Sequence, residues 1–266
     1  MIEKDKKLRQ RYQIIESLKT GGICETYLAE DLSTPTEPKL RCFVKRLKPD
    51  QEESKVMRER FEKEAKLLNL LSQKHQQFPK LYDYFEEGKK SYIVQEFIDG
   101  EDFRDIISDK QLSETEVIEF LVELLELLAF IHQESEIHGD IKPDNIMRRK
   151  QDSALILVDI MGKVSGDIPS GTFGYMPHEQ WDWNAKCSNA TYCSEVYSAG
   201  ITAIEALTGI CPRKLPKDTE TQELNWRDRV EVRDELADIL NKMVRCDSNQ
   251  RYQSASEVLQ DLKKLA

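Results

Sequence analysis

Residues 130–147 read FIHQESEIHGDIKPDNIM, and they set a carboxylate, an ammonium and an amide close together on the chain, as Asp140, Lys142 and Asn145. Downstream, the apolar run Ala154–Val158 ends in a second acid, Asp159, where an oxygen ligand for a metal would be useful. Pro143 and Asp144 read as an ordinary polar turn, since such residues punctuate chains between helix and strand. A turn does not account for the whole set. The segment therefore reads as a chemical loop set between a helix and a short strand.

Working outward, residues 113–133, SETEVIEFLVELLELLAFIHQ, have a helical apolar pattern, and Ser113 with Glu116 three residues on forms a capping box. Later helices are expected at EVYSAGITAIEALTG, ended by Gly209 and Pro212, then at VRDELADILNKMV and SASEVLQDLKKLA. Toward the N-terminus the character changes. Residues 11–98 hold short β-like runs, YQIIESL, CETYLAED, RCFVKRLK, KLYDYFEE and SYIVQEFI, with one helical run, KVMRERFEKEAKLLNLL, among them. In that run Phe61, Leu67, Leu68 and Leu71 recur at helical spacing, so one face packs on the sheet. No internal repeat or low-complexity linker interrupts the order.

Composition bounds the partners. With 39% apolar residues in 266, the chain can bury a sizeable core as one large domain or two joined lobes. A formal charge of −10 argues against a general nucleic-acid binder, which needs cationic excess to neutralise phosphates. No apolar run reaches the length of about 20 residues that a membrane-spanning helix requires, and the charged start MIEKDKKLRQ is unlike a signal peptide, so a cytoplasmic location is expected. Cys24, Cys42, Cys187, Cys193, Cys211 and Cys246 form no CxxC pair, which points to reduced, mostly buried thiols. The histidines His75, His132 and His178 show no metal spacing.

The order IHGDIKPDN followed by Asp159 resembles the catalytic centre of the eukaryotic-type Ser/Thr protein kinases, whose signature is HRDLKxxN and then a metal-binding DFG. GTFGYMPHEQ at 171–180 resembles that family's GTxxYxxPE segment, Arg251 its structural arginine paired to Glu179, and EVYSAG its DxxSxG helix start, with Glu195 in place of aspartate. The resemblance, closest in style to compact bacterial members, runs over residues 12–265. It implies an α+β bilobal fold: a five-stranded antiparallel sheet plus one helix in an N-lobe at 11–98, and a mostly helical C-lobe at 99–266, together one kinase domain spanning 1–266.

The same resemblance implies the chemistry. The chain would transfer the γ-phosphate of Mg-ATP to a protein hydroxyl, with ATP and Mg²⁺ as cofactors and a protein substrate or regulatory partner. Asp140 would orient the acceptor hydroxyl, Lys142 would sit by the transferred phosphoryl, and Asn145 and Asp159 would hold Mg²⁺. Lys45, paired with Glu64, would grip the α and β phosphates. Gly21, Gly22, Thr26, Phe43 and Met147 would line the nucleotide site, Glu96 and Ile98 would meet the base through their backbone, and Asp102 would lie near the ribose. Lys142 is the Ser/Thr form of the loop. Thr172 would reach back to Asp140 and Lys142, and His138 is expected in the core rather than in the chemistry.

Several positions depart from the family. The phosphate-covering loop should read GxGxxG, but Lys19 and Cys24 stand at the first and third glycines, leaving Gly21 and Gly22 at the turn. Phe43, two residues before Lys45 on a strand, shares its face and would crowd the adenine, with Gln95 behind the same slot. Ile160 and Met161 replace Phe-Gly after Asp159, and Gly139 replaces the arginine that normally meets an activating phosphate. An active enzyme is thus expected to work without phosphorylation of the loop that carries Ser165 and Ser170. The alternative is a pseudokinase scaffold whose adenine site is obstructed by Phe43. Trp181, Trp183 and the insert around Cys187 and Cys193 are expected to pack on the helical lobe, with a docking surface as the alternative.

Overall fold

In the computed structural model, residues 2–20, 22–163, 171–180 and 190–265 are described, with Lys19 and Thr20 as backbone only. Gly21, Ser165, Ser170, Trp181, Trp183 and Cys187, and the side chain of Lys19, lie outside that description. The chain divides into two units, 1–99 and 100–266.

The first unit is built on β1 (Lys7–Leu8), β2 (Tyr12–Thr20), β3 (Cys24–Asp31), β4 (Leu40–Leu47), α1 (Pro49–Glu52), α2 (Lys55–Lys74), β5 (Leu81–Glu87) and β6 (Lys90–Glu96). Its strands form one sheet in the order β1-β2-β3-β4-β6-β5, every pairing antiparallel. The expected five-stranded sheet thus has a sixth, two-residue strand, β1, and a short helix, α1, beside the expected one.

Alternation along β4 sends its side chains to two different cores. Cys42 and Val44 join Leu8, Tyr12, Tyr27, Phe85 and Tyr92 on one face, whereas Leu47 meets Phe61 and Ala65 of α2, with Ile93, on the other. Burying a side chain such as Phe61 stabilises the fold by about 1.5–3 kcal/mol. Ser54 caps α2, accepting the Met57 amide at 3.4 Å. Lys45 has the same parity as Leu47, and so it faces α2.

The second unit contains β7 (Gly100–Asp102), α3 (Phe103–Asp109), α4 (Glu114–Gln133), β8 (Ile146–Arg149), β9 (Leu155–Leu157), α5 (Tyr192–Thr208), α6 (Asp234–Met243) and α7 (Ala255–Leu262). Among its described residues the named elements are helices apart from the small antiparallel sheet β7-β8-β9. The Ser113–Glu116 capping box is present, and α5 ends on left-handed Gly209. Nearly every side chain of α5 is buried, which makes it the axis on which the loops of this unit are mounted. No helix among the described residues is long and apolar enough to cross a membrane.

Candidate active site

The loop after α4 brings together what the sequence spaced apart. Lys142 Nζ donates to Asp140 Oδ2 and to Thr172 Oγ1, each at 2.7 Å. Thr172 in turn donates to Asp140 Oδ1 at 2.8 Å. The Asn145 amide nitrogen donates to the Asp140 carbonyl at 2.8 Å and to its Oδ2 at 3.1 Å. Both oxygens of the Asp140 carboxylate are therefore oriented, and the charge of Lys142 lies beside them. Their side chains keep 11% and 20% exposure, enough for a substrate atom to approach the pair.

Asparagine uses its nitrogen on Asp140, which leaves its amide oxygen as the atom for a cation. Asp159 ends the segment after β9 as an exposed carboxylate. These two hard oxygen donors suit Mg²⁺, an ion that keeps several waters and takes the rest of its ligands from phosphates. No group of three or more His, Cys, Asp or Glu that could hold a metal occurs among the described residues.

His138 organises the backbone here. Its Nε2 lies 2.9 Å from the Val158 carbonyl, and its Nδ1 accepts the Asp140 amide at 3.3 Å. One ring nitrogen donating and the other accepting defines a neutral imidazole, and complete burial pushes its pKa down. This is the core role expected of it. Glu195 of α5 accepts the amides of His138 and Gly139 at 2.8 Å each through Oε1, while its Oε2 lies 2.9 Å from His132 Nε2. His132 also stacks on Tyr192, with ring centroids 4.1 Å apart.

In the first unit, Lys45 on β4 and Glu64 on α2 form a buried ion pair. Thr26 is the register partner of Lys45, and Phe43 is paired with Leu28 on one side and Gln95 on the other. Phe43 is half-buried on the strand face that carries Lys45, as alternation requires. Gln95 and Ile98 are buried, and Glu96 meets Lys80, whose amide its Oε2 accepts at 3.2 Å. Nothing lies within 4 Å of where a Cβ at Gly22 would sit, so packing does not demand a glycine there. In the second unit Asp102 and Met147 are cross-strand partners on β7 and β8.

Arg251 is fully buried and forks onto Glu179, at 2.5 Å to Oε1 and 3.0 Å to Oε2. A second network was not foreseen. Arg104 of α3 binds Glu205 at 2.8 Å, Asp144 at 3.1 Å and Tyr175 at 2.5 Å, and Tyr175 donates to Glu205 Oε2 at 2.5 Å. Burial and the Glu205 carboxylate both push the Tyr175 phenol up, so it remains a donor. The signal available was Glu205 itself, an acid inside the apolar run ITAIEALTG, because a buried acid requires a partner.

The family profile of the protein kinase domain matches residues 12–262. The chain belongs to the protein kinase domain family. Serine/threonine-protein kinase C of Synechocystis sp. is 38% identical over 99% of this chain and 51% of that protein. Serine/threonine-protein kinase PknA of Nostoc sp. is 34% identical over 96% of this kinase domain and 47% of its own length. The chain spans about half the length of these curated relatives. Among solved structures, the Mycobacterium tuberculosis PknI kinase domain superposes with a TM-score of 0.76 at 18% identity, covering 100% of both chains, a likeness of fold.

Proposed function

We propose that this kinase domain is an active Ser/Thr protein kinase that transfers the γ-phosphate of Mg-ATP to protein hydroxyls. The observation that carries the reading is the closed set Asp140–Lys142–Thr172, in which one carboxylate is oriented at both oxygens beside a cation. Phosphoryl transfer asks for little covalent chemistry and much positioning. Asp140 accepts the hydrogen bond of the incoming hydroxyl and aligns its oxygen. Lys142 neutralises charge on the transferred group. Thr172 ties both to the segment on which a substrate would rest, and Glu179 with Arg251 holds that segment.

Asn145 and Asp159 supply oxygens for Mg²⁺, and Lys45, aimed by Glu64, binds the α and β phosphates. Bound Mg²⁺ neutralises the phosphates and orients the γ-phosphoryl group. Gly21, Gly22 and Thr26 cover the phosphates, Phe43 and Met147 line the base, Glu96 and Ile98 offer it backbone groups, and Asp102 meets the ribose. The relatives at 34–38% identity are named as kinases, which weighs against the scaffold reading built on Phe43. The substrate is a protein Ser or Thr, and a cytoplasmic setting suits it.

The test is twofold. Mg-ATP should raise the melting temperature in a magnesium-dependent way, since a ligand bound only by the native state stabilises it. Radiolabelled phosphate should pass from ATP to a generic protein acceptor, and Asp140→Asn should abolish transfer while keeping the thermal shift. A wild type that shows neither effect would overturn the proposal, and a thermal shift without transfer would leave a nucleotide-binding scaffold.

A further inference from the structure

Two departures from the kinase pattern, Gly139 for arginine and Met161 for glycine, meet in space. Gly139 adopts φ +90°, a left-handed conformation that a side chain strains. A Cβ built on it would stand 3.2 Å from the Gly162 carbonyl oxygen and 3.3 Å from Met161 Cβ. The segment after Asp159 therefore runs directly against the bare Cα of residue 139. Across this contact the His138 carbonyl accepts the amides of Met161, at 2.8 Å, and Gly162, at 3.2 Å. On its far side the His138–Gly139 peptide segment is fixed by Glu195 of α5.

We propose that Gly139 and Met161 are a complementary positioning pair: the side chain missing at 139 makes the room in which 161–162 packs, and this contact sets Asp159. A continuous path then runs from buried α5, through the catalytic loop, to the carboxylate that offers oxygen to Mg²⁺. In family members with arginine at this position, a phosphate on the following loop can do the ordering. Here packing does it, and the device is permanent. The assignment of Asp159 to a cation rests on the kinase reading, whereas the pairing of 139 with 161 does not.

Amide hydrogen exchange on the metal-free, nucleotide-free protein tests the pairing. Gly139→Ala should speed exchange of the Gly162 amide by about tenfold while the amides of α4 stay protected. Adding Met161→Gly gives the segment slack, and exchange at Gly162 should return to within about threefold of wild type. Backbone strain at residue 139 alone would show no such rescue. If Gly139→Ala fails to fold, Met161→Val puts the added bulk on the other partner, and the same loss of protection is expected.

The positioning claim is read from magnesium dependence. Gly139→Ala should raise the Mg²⁺ concentration for half-maximal binding of a fluorescent ATP analogue by about fivefold, with affinity in EDTA unchanged, because only the cation site has moved. Unaltered Gly162 exchange in the folded variants, or no rescue, would overturn the pair. Altered exchange with unaltered magnesium dependence would overturn its role toward Asp159. A wild type that binds no Mg-nucleotide would sink the kinase reading instead, and the exchange data would still decide the pairing.

Discussion

The Gly139 amide donates to Glu195 Oε1 at 2.8 Å, and this bond makes a helix buried through the second unit the reference point for the catalytic loop. The same oxygen takes the His138 amide, and the other faces His132, so a single carboxylate binds on two sides. Glutamate is one methylene longer than the aspartate usual in the family. That extra reach spans from the loop amides to the imidazole.

Glu195→Asp, although it restores the family residue, should therefore weaken the protein. The shorter side chain cannot serve both the amides and His132, and hydrogen bonds to a buried carboxylate contribute about 1.5–3 kcal/mol. Urea unfolding should show a loss in that range. Undiminished stability would mean that His132 and Glu195 are not coupled.

Thr172→Ala should lower kcat by about ten- to a hundredfold with KM for ATP little changed, since the hydroxyl acts on Asp140 and Lys142 and not on nucleotide. Thr172→Ser keeps the bridging hydroxyl and should retain most activity. Steady-state kinetics on a protein acceptor separates the cases. Equal loss in both variants would show that the methyl, not the hydroxyl, carries the effect.

The catalytic loop was legible because its chemistry is compressed: Asp140, Lys142 and Asn145 are so close in sequence that local backbone geometry alone brings them together. Thr172 and the Arg251–Glu179 fork span far greater separations, and only the family resemblance connected them. The helices were legible from their apolar period, since α2, α4, α5, α6 and α7 each bury one face or more. The strand Lys7–Leu8 was not legible, because two residues carry no period; it is formed by pairing with β2, with Leu8 fully buried in the core it shares with Tyr12 and Tyr27. Arg104 was equally silent. An arginine in EDFRDIIS, set between a phenylalanine and an aspartate, gives no sign that it will cross to Glu205, Tyr175 and Asp144.

Arg251→Lys should be far from conservative. The guanidinium makes two bonds to Glu179 and others to the carbonyls of Arg245, at 2.5 Å, and Cys246, at 2.9 Å. A lysine ammonium cannot reproduce the planar fork, and losing hydrogen bonds of the buried guanidinium to a carboxylate costs about 1.5–3 kcal/mol. A chemical melt should register the loss, with Arg251→Ala at least as severe. A lysine variant as stable as wild type would show that charge alone is sufficient.

The final prediction concerns acid. Asp31 on β3 is buried and receives Arg11 at 2.9 and 2.6 Å, along with the amide and hydroxyl of Ser33 at 3.0 and 2.7 Å. The Arg11 guanidinium, helped by Ser33, holds the Asp31 pKa down at about 2, against an ordinary value of 3.8. A carboxylate depressed in the native state contributes stability that is present above its unfolded pKa and lost as pH falls through the native one. Arg11 is 40% exposed, so solvent screens the pair, and the contribution is on the order of 1 kcal/mol. Asp31→Asn should therefore be less stable than wild type at neutral pH, with the gap closing between about pH 4 and pH 2 as the wild-type carboxylate protonates. Denaturant midpoints for both proteins across that range give the comparison, and a gap constant with pH would show that Asp31 acts through shape rather than charge.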